Sequence, residues 1–144
     1  MKNTKARSNS SALFFQYFNK GWVMIVCRGV RGAIPVKDNT RHNILSASDR
    51  LLQVMIEKNG IVSDDVCSAI FTTTTDINAE YPAIAARKLG WHDVALLCGH
   101  EMCVPHGLTS CLRILVHWNT EKSPQEIVHV YLEEAQILRP DLFE

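Results

Sequence analysis

A chain of 144 residues, 47% hydrophobic and with 15 basic residues against 15 acidic ones, has room for one domain with a real core and not for two. That composition excludes the disordered and fibrous classes, and no apolar run approaches the roughly 20 residues that a bilayer crossing needs. The zero net charge conceals an asymmetry. Residues 1–23 hold Lys2, Lys5, Arg7 and Lys20 and no acid, which leaves 11 basic residues against 15 acidic ones over residues 24–144, a formal charge of −4. A mildly acidic domain lacks the basic field that nucleic-acid binding relies on, so an anionic ligand has to be held by a local arginine cluster.

Residues 1–20 are polar, basic and serine-bearing, with Phe14, Phe15, Tyr17 and Phe18 in the second half. They read as a non-core extension: a disordered tail, an organelle transit peptide or sequence upstream of a misplaced start. Met24 stands where the domain begins, which divides the chain into an extension, 1–23, and a working domain, 24–144. The apolar run Trp22–Cys27 reads as a buried strand with Arg28-Gly-Val-Arg-Gly-Ala33 at its end. That stretch places two guanidinium groups, which never lose their charge, beside glycines that let the backbone approach something closely. A structural carboxylate elsewhere in the chain and a bound anion are the two readings of what they face.

Thr40 caps a helix whose apolar positions Ile44, Leu45, Leu51, Leu52, Met55 and Ile56 recur with helical period and which ends near Asn59-Gly60. Ser68–Thr75, rich in β-branched residues, reads as a strand. Pro82 at a first helical position and Gly90 bracket a short helix, and Val94–Cys98 reads as a buried strand. In Leu112–Trp118, one face carries Leu112, Ile114, Val116 and Trp118 and the other Cys111, Arg113, Leu115 and His117, so the strand is expected to be covered on both sides. Ser123-Pro124 opens a last short helix and Ala135–Leu138 reads as a final strand. The class is α/β or α+β with a mixed sheet.

The five cysteines are odd in number and lack CxxC spacing, which fits reduced thiols in a cytoplasmic setting better than a disulfide framework. Cys98, His100, Cys103 and His106 fall within nine residues and raise the possibility of zinc, but their crowding into one loop strains a tetrahedral site. Core thiols and surface imidazoles account for them equally well, and no metal is expected. More specific is the combination of Arg31, Arg87 and Arg113 with Glu101 and Tyr131, in a chain without a Ser–His pair or phosphate loop. That set suits a small polyanion handled by positioning and electrostatics.

Arg28-Gly-Val-Arg-Gly-Ala33, Tyr81-Pro-Ala83, Arg87-x-Leu-Gly-Trp91, Cys98-x-x-Glu-Met102, Cys111-Leu-Arg-Ile114, His129-Val-Tyr-Leu-Glu133 and Leu138-Arg-Pro-Asp-Leu142 resemble the monofunctional, trimeric α/β class of chorismate mutase. The resemblance runs in order from about Met24 to Leu142. It implies a mixed-sheet domain assembling as a barrel-like homotrimer with sites between subunits, and the cofactor-free rearrangement of chorismate to prephenate in aromatic amino-acid biosynthesis. It implies also that Arg113 donates to the ether oxygen of chorismate, that Arg31 holds a carboxylate with Tyr131 beside it, and that Glu101 accepts from the ring hydroxyl. Leu97, Cys98, Gly99 and His100 would line the pocket, and Tyr81, Ala83 and Arg87 would come from a neighbouring subunit, with Arg87 drawing the dianion inward. The family often carries lysine where this chain has Ile84 and phenylalanine where it has Tyr81, and one residue is missing before Gly90. Rival readings are a metabolite-binding paralogue without turnover and a trimeric imine deaminase on a similar scaffold. The intact Arg31, Glu101, Arg113 and Tyr131 argue against the first, and the Cys98–Met102 and Cys111–Ile114 motifs against the second.

Overall fold

Helix α1, Arg41–Asn59, begins and ends where local chemistry dictates. The Thr40 hydroxyl accepts from the Asn43 amide, and Gly60 takes the left-handed conformation (φ 70°) while its N–H bonds back to Ile56. The structure, a computed structural model, describes residues 23–143. The extension assigned to 1–23 therefore lies, but for Val23, outside the described residues. Among the described residues, no helix is long and apolar enough to cross a membrane.

Five strands make one mixed sheet: β1 (Val26–Pro35), β2 (Val66–Thr73), β3 (Ala95–His100), β4 (Cys111–Thr120) and β5 (Val130–Tyr131). Their order is β3-β2-β4-β1-β5, with β4 antiparallel to both neighbours and the outer pairs, β2–β3 and β1–β5, parallel. A short helix α2, Ile84–Lys88, lies between β2 and β3, and four 3-10 turns fill the remaining connections. The capping box of Ser123 and Glu126, with Pro124 between, forms one of them where the sequence places a short helix.

Alternation along β4 buries Leu112, Ile114, Val116 and Trp118 against α1, while Arg113, Leu115 and His117 stay half-buried on the other face. The main core lies on the α1 side, where Val30, Ile34, Phe71, Leu112 and Ile114 meet Ile44, Leu51, Leu52 and Met55. Gly32 explains the glycines of β1. A Cβ there would meet Met55 Sδ at 2.5 Å and Leu51 Cδ1 at 3.0 Å, so the close neighbour of this backbone is helix α1. Asn59 ties the far end of α1 to the approach to β5: its Nδ2 donates to Met55 and Val128 carbonyls at 2.9 Å, and its Oδ1 accepts from the Val128 amide at 2.9 Å.

Five sequence expectations need correction. The strand read at Trp22–Cys27 begins only at Val26 and runs on to Pro35, so Arg28–Ala33 lies inside it. Val23, Met24 and Ile25 precede it and are exposed, because among the described residues no partner strand reaches them. The run Ala135–Leu138 belongs to a 3-10 helix, Glu133–Leu138: the chain leaves the sheet after Tyr131 through a left-handed Glu133 (φ 53°). Strand β3 is an edge, with Leu97 64% exposed, and β4 is covered by helix on one face alone. Helix α2 starts two residues after Pro82, which sits in the preceding turn.

Candidate active site

Residues in register across the sheet point to the same face, and one row runs through all five strands: Gly99, Thr72, Arg113, Ala33 and Tyr131. This row lies on the face away from α1. Arg31, two residues before Ala33, joins the row, and Glu101 follows β3 two residues after Gly99. The sheet therefore gathers Arg31, Arg113, Tyr131 and Glu101, residues spread over a hundred positions of sequence.

Their contacts are specific. Arg31 Nε donates to Tyr131 Oη at 2.6 Å, and its guanidinium carbon lies 5.7 Å from the centre of that ring. Arg113 Nη1 meets Glu101 Oε2 at 3.2 Å, and the Thr72 hydroxyl donates to the other oxygen of Glu101. Arg113 Nε is buried and has no hydrogen-bond partner. A buried donor left unmade costs on the order of 1–3 kcal/mol, more for a charged group. Arg31, Gly32, Ala33, Arg113, Tyr131 and Leu138 surround a pocket of about 140 Å³. Small-ligand sites usually reach roughly 300–1,000 Å³, which is larger than this pocket.

Arg28 stands apart. Three positions from Arg31, it points to the opposite face and donates from Nε to the Lys122 carbonyl at 3.1 Å. Its partner is a backbone oxygen and not the carboxylate that the sequence reading weighed.

The other candidate residues divide. On β3, Leu97 and Gly99 face the open side with Glu101, whereas Cys98 and His100 face the α2 side. There Tyr81, Pro82, Cys98, Gly99 and His100 line a second pocket of about 400 Å³. Burial pushes the Cys98 thiol above its usual pKa of 9.0, opposed by a hydrogen bond from the Ala83 backbone, so it is neutral at physiological pH. A neutral thiol does not repel an anion. Arg87 lies on the exposed side of α2, its Nη1 bound to the carbonyls of Trp91 and, at 2.6 Å, His92, which fixes the direction of its guanidinium. His100 Nδ1 sits 3.2 Å from the Thr73 hydroxyl, and among the described residues no three His, Cys, Asp or Glu side chains converge as a metal site would need. All five cysteines are free.

Sequence reasoning missed the residues behind the site. Thr72 braces Glu101, and its only signal was a place in a β-branched run. His129 Nδ1 accepts the Arg31 amide at 3.1 Å, continuing the β1–β5 pairing with a side chain. Burial, then the charges of Arg31 and Arg139, lower the pKa of His129 below the usual 6.5, which keeps the ring a neutral acceptor. Arg139 forms a two-pronged pair with Asp141, at 2.8 and 2.7 Å, beside Tyr131.

An α/β domain with arginines, a tyrosine and a carboxylate aligned across one open sheet face defines a binder of small anions that needs no nucleophile. The particular family follows from comparison. The sequence matches the chorismate mutase type I family over residues 27–142. It is 46% identical over 116 residues to chorismate mutase AroH of Thermus thermophilus, covering 80% of this chain and 95% of that one. It is 40% identical over 119 residues to chorismate mutase AroH of Bacillus subtilis, covering 82% and 94%. A solved chorismate mutase from Clostridium thermocellum superposes with a TM-score of 0.75 at 46% identity, over 76% of this chain and 98% of that one. This chain belongs to the chorismate mutase type I family.

Proposed function

We propose that this chain is a chorismate mutase, an isomerase that converts chorismate to prephenate, acting through Arg31, Glu101, Arg113 and Tyr131. The observation that carries the reading is the gathering of Arg31, Arg113 and Tyr131 around one pocket, with the Arg113 guanidinium paired to Glu101 and its Nε buried without a partner.

The rearrangement breaks an ether C–O bond while a C–C bond forms, within one molecule and without a proton transfer. Negative charge gathers on the departing oxygen. A preorganised cationic donor stabilises that charge more in the transition state than in the substrate, which is what lowers the barrier. Arg113 Nε fills this role, and its Glu101 partner keeps the guanidinium turned towards the pocket. Arg31, steadied by Tyr131, holds a carboxylate and so favours the folded conformer in which the reacting carbons meet. Glu101 has a carboxylate edge for the ring hydroxyl.

The pocket of about 140 Å³ is too small alone, and the second set of candidate residues lies on another side of the chain. We read both facts as halves of a site completed between copies in a homotrimer. Tyr81, Ala83 and Arg87 of one copy, with Cys98 and His100 beside them, then face the arginine row of the next. Cys98 contributes an uncharged wall and Arg87 a cation at the mouth. The working domain is residues 24–144, which holds every residue assigned a role in the chemistry. The free thiols accord with a cytoplasmic setting.

Purified protein in metal-free buffer is expected to deplete chorismate absorbance, and Arg113→Ala to lower kcat by about 10²–10³-fold while the protein stays folded. A chain that folds, assembles as a trimer and leaves chorismate untouched would overturn the reading.

A further inference from the structure

Two described residues other than glycine take the left-handed backbone conformation, Ser110 (φ 48°) and Glu133 (φ 53°). Ser110 immediately precedes β4, three residues before Arg113. Side chains with a Cβ resist this conformation, and it persists only where surrounding contacts enforce it. At Ser110 those contacts come from one carboxylate. Asp76 Oδ2 accepts both the Ser110 amide, at 2.8 Å, and the Ser110 hydroxyl, at 2.9 Å. The turn carrying Asp76 is locked to the same place. Thr74 and Cys111 exchange backbone and side-chain hydrogen bonds at 3.0 Å, Ile77 N–H closes the turn on the Thr74 carbonyl, and Val36 N–H after β1 donates to the Ser110 carbonyl at 2.6 Å. The entry to β4 is thus pinned to the ends of both strands that flank it, β1 and β2.

From this geometry we infer that Asp76 is a positioning residue for the mutase reaction: by holding Ser110 left-handed it sets the register and direction of β4, and so where Arg113 Nε points. The inference rests on the role proposed above for Arg113. No hydrogen bond joins Asp76 to Arg31, Glu101, Arg113 or Tyr131, and its carboxyl is held below its usual pKa of 3.8 chiefly by the Thr74 hydroxyl and then by Ser110, so it stays an acceptor throughout the working pH range. Misplacing a catalytic donor by even an ångström is costly to the rate, whereas substrate capture through Arg31 on a different strand is not disturbed.

Asp76→Ala is expected to lower kcat about ten-fold with KM changed by less than about two-fold, a split that general destabilisation does not give. Asp76→Asn retains an acceptor oxygen and is expected to stay within about two-fold of the parent. The deciding variant is the double change Asp76→Ala with Ser110→Gly. Glycine adopts the left-handed conformation unaided, so the double variant is expected to recover kcat to within about three-fold of the parent. Unchanged kcat in Asp76→Ala, or a double variant no better than the single one, overturns the inference. If Asp76→Ala does not fold, a double variant that folds with near-parent kcat supports it and one that also fails to fold overturns it. If the parent chain itself leaves chorismate untouched, the function reading fails separately. Hydrogen exchange of the 110–113 amides then decides, faster in Asp76→Ala and restored by Ser110→Gly if the clamp acts as described.

Discussion

Beneath α1 the sheet presents Val30, Ile34, Phe71, Leu112 and Ile114, none more than 2% exposed, and helix side chains close over them. Across the same strands, on the opposite face, stand Arg31, Thr72, Arg113 and Tyr131: Arg31 donates to Tyr131, Thr72 and Arg113 both meet Glu101, and the Nε of Arg113 is buried without a partner. The backbone is common to both. Alternation alone separates a face that supplies stability from a face that supplies chemistry, so substitutions one residue apart should have effects of different kinds.

Phe71→Ala tests the closed face hardest. It should cost about 3–5 kcal/mol in denaturant unfolding while leaving the KM of the surviving folded enzyme near that of the parent. Its neighbour across the pleat in function, Arg113→Lys, should lose about 10²-fold in kcat with little change in unfolding midpoint, because lysine keeps the charge but not the Nε–H of the fork. A large stability loss in Arg113→Lys would blur the two faces into one. Gly32→Ala comes next: the added methyl presses on Met55 and Leu51, for an expected loss of about 1–3 kcal/mol measured by thermal unfolding. The smallest effect is expected at His129, whose ring is held neutral in the fold. Below its ordinary pKa the unfolded chain takes up the proton first, so stability falls as pH drops from 6.5 towards the lower folded value. His129→Asn, which keeps an acceptor for the Arg31 amide without titrating, should shrink the difference in Tm between about pH 7 and about pH 5.

What the sequence disclosed was mostly local. The caps at Thr40 and Gly60, the alternation along β4 and the short helical turn opened by Ser123-Pro124 are written in residues within a few positions of one another, and each is present. Apolar runs misled where burial depends on distant partners. Val23–Ile25 has the composition of a strand but nothing pairs with it, and Ala135–Leu138 is turned aside by the left-handed Glu133 before it can join β1. The chemical residues were legible because the motifs that carry them are. Their division between two pockets was not, since it depends on the parity of positions 97 to 100 along an edge strand. The supporting contacts of Thr72, His129 and Asp76 were not legible, for each acts through a partner 29, 98 or 34 residues away.

The row across the sheet also bears on how the molecule comes into being. Arg31 meets Tyr131 across 100 positions of chain, and the intervening row uses every strand. Such distant pairings make for slow, late-committing folding, because loop closure has to be met before the contacts that reward it. During synthesis, Arg31 emerges early and stands without its tyrosine until β5, the last described strand, docks on β1. A chain stopped before Val130 would keep much of its core and none of its completed pocket.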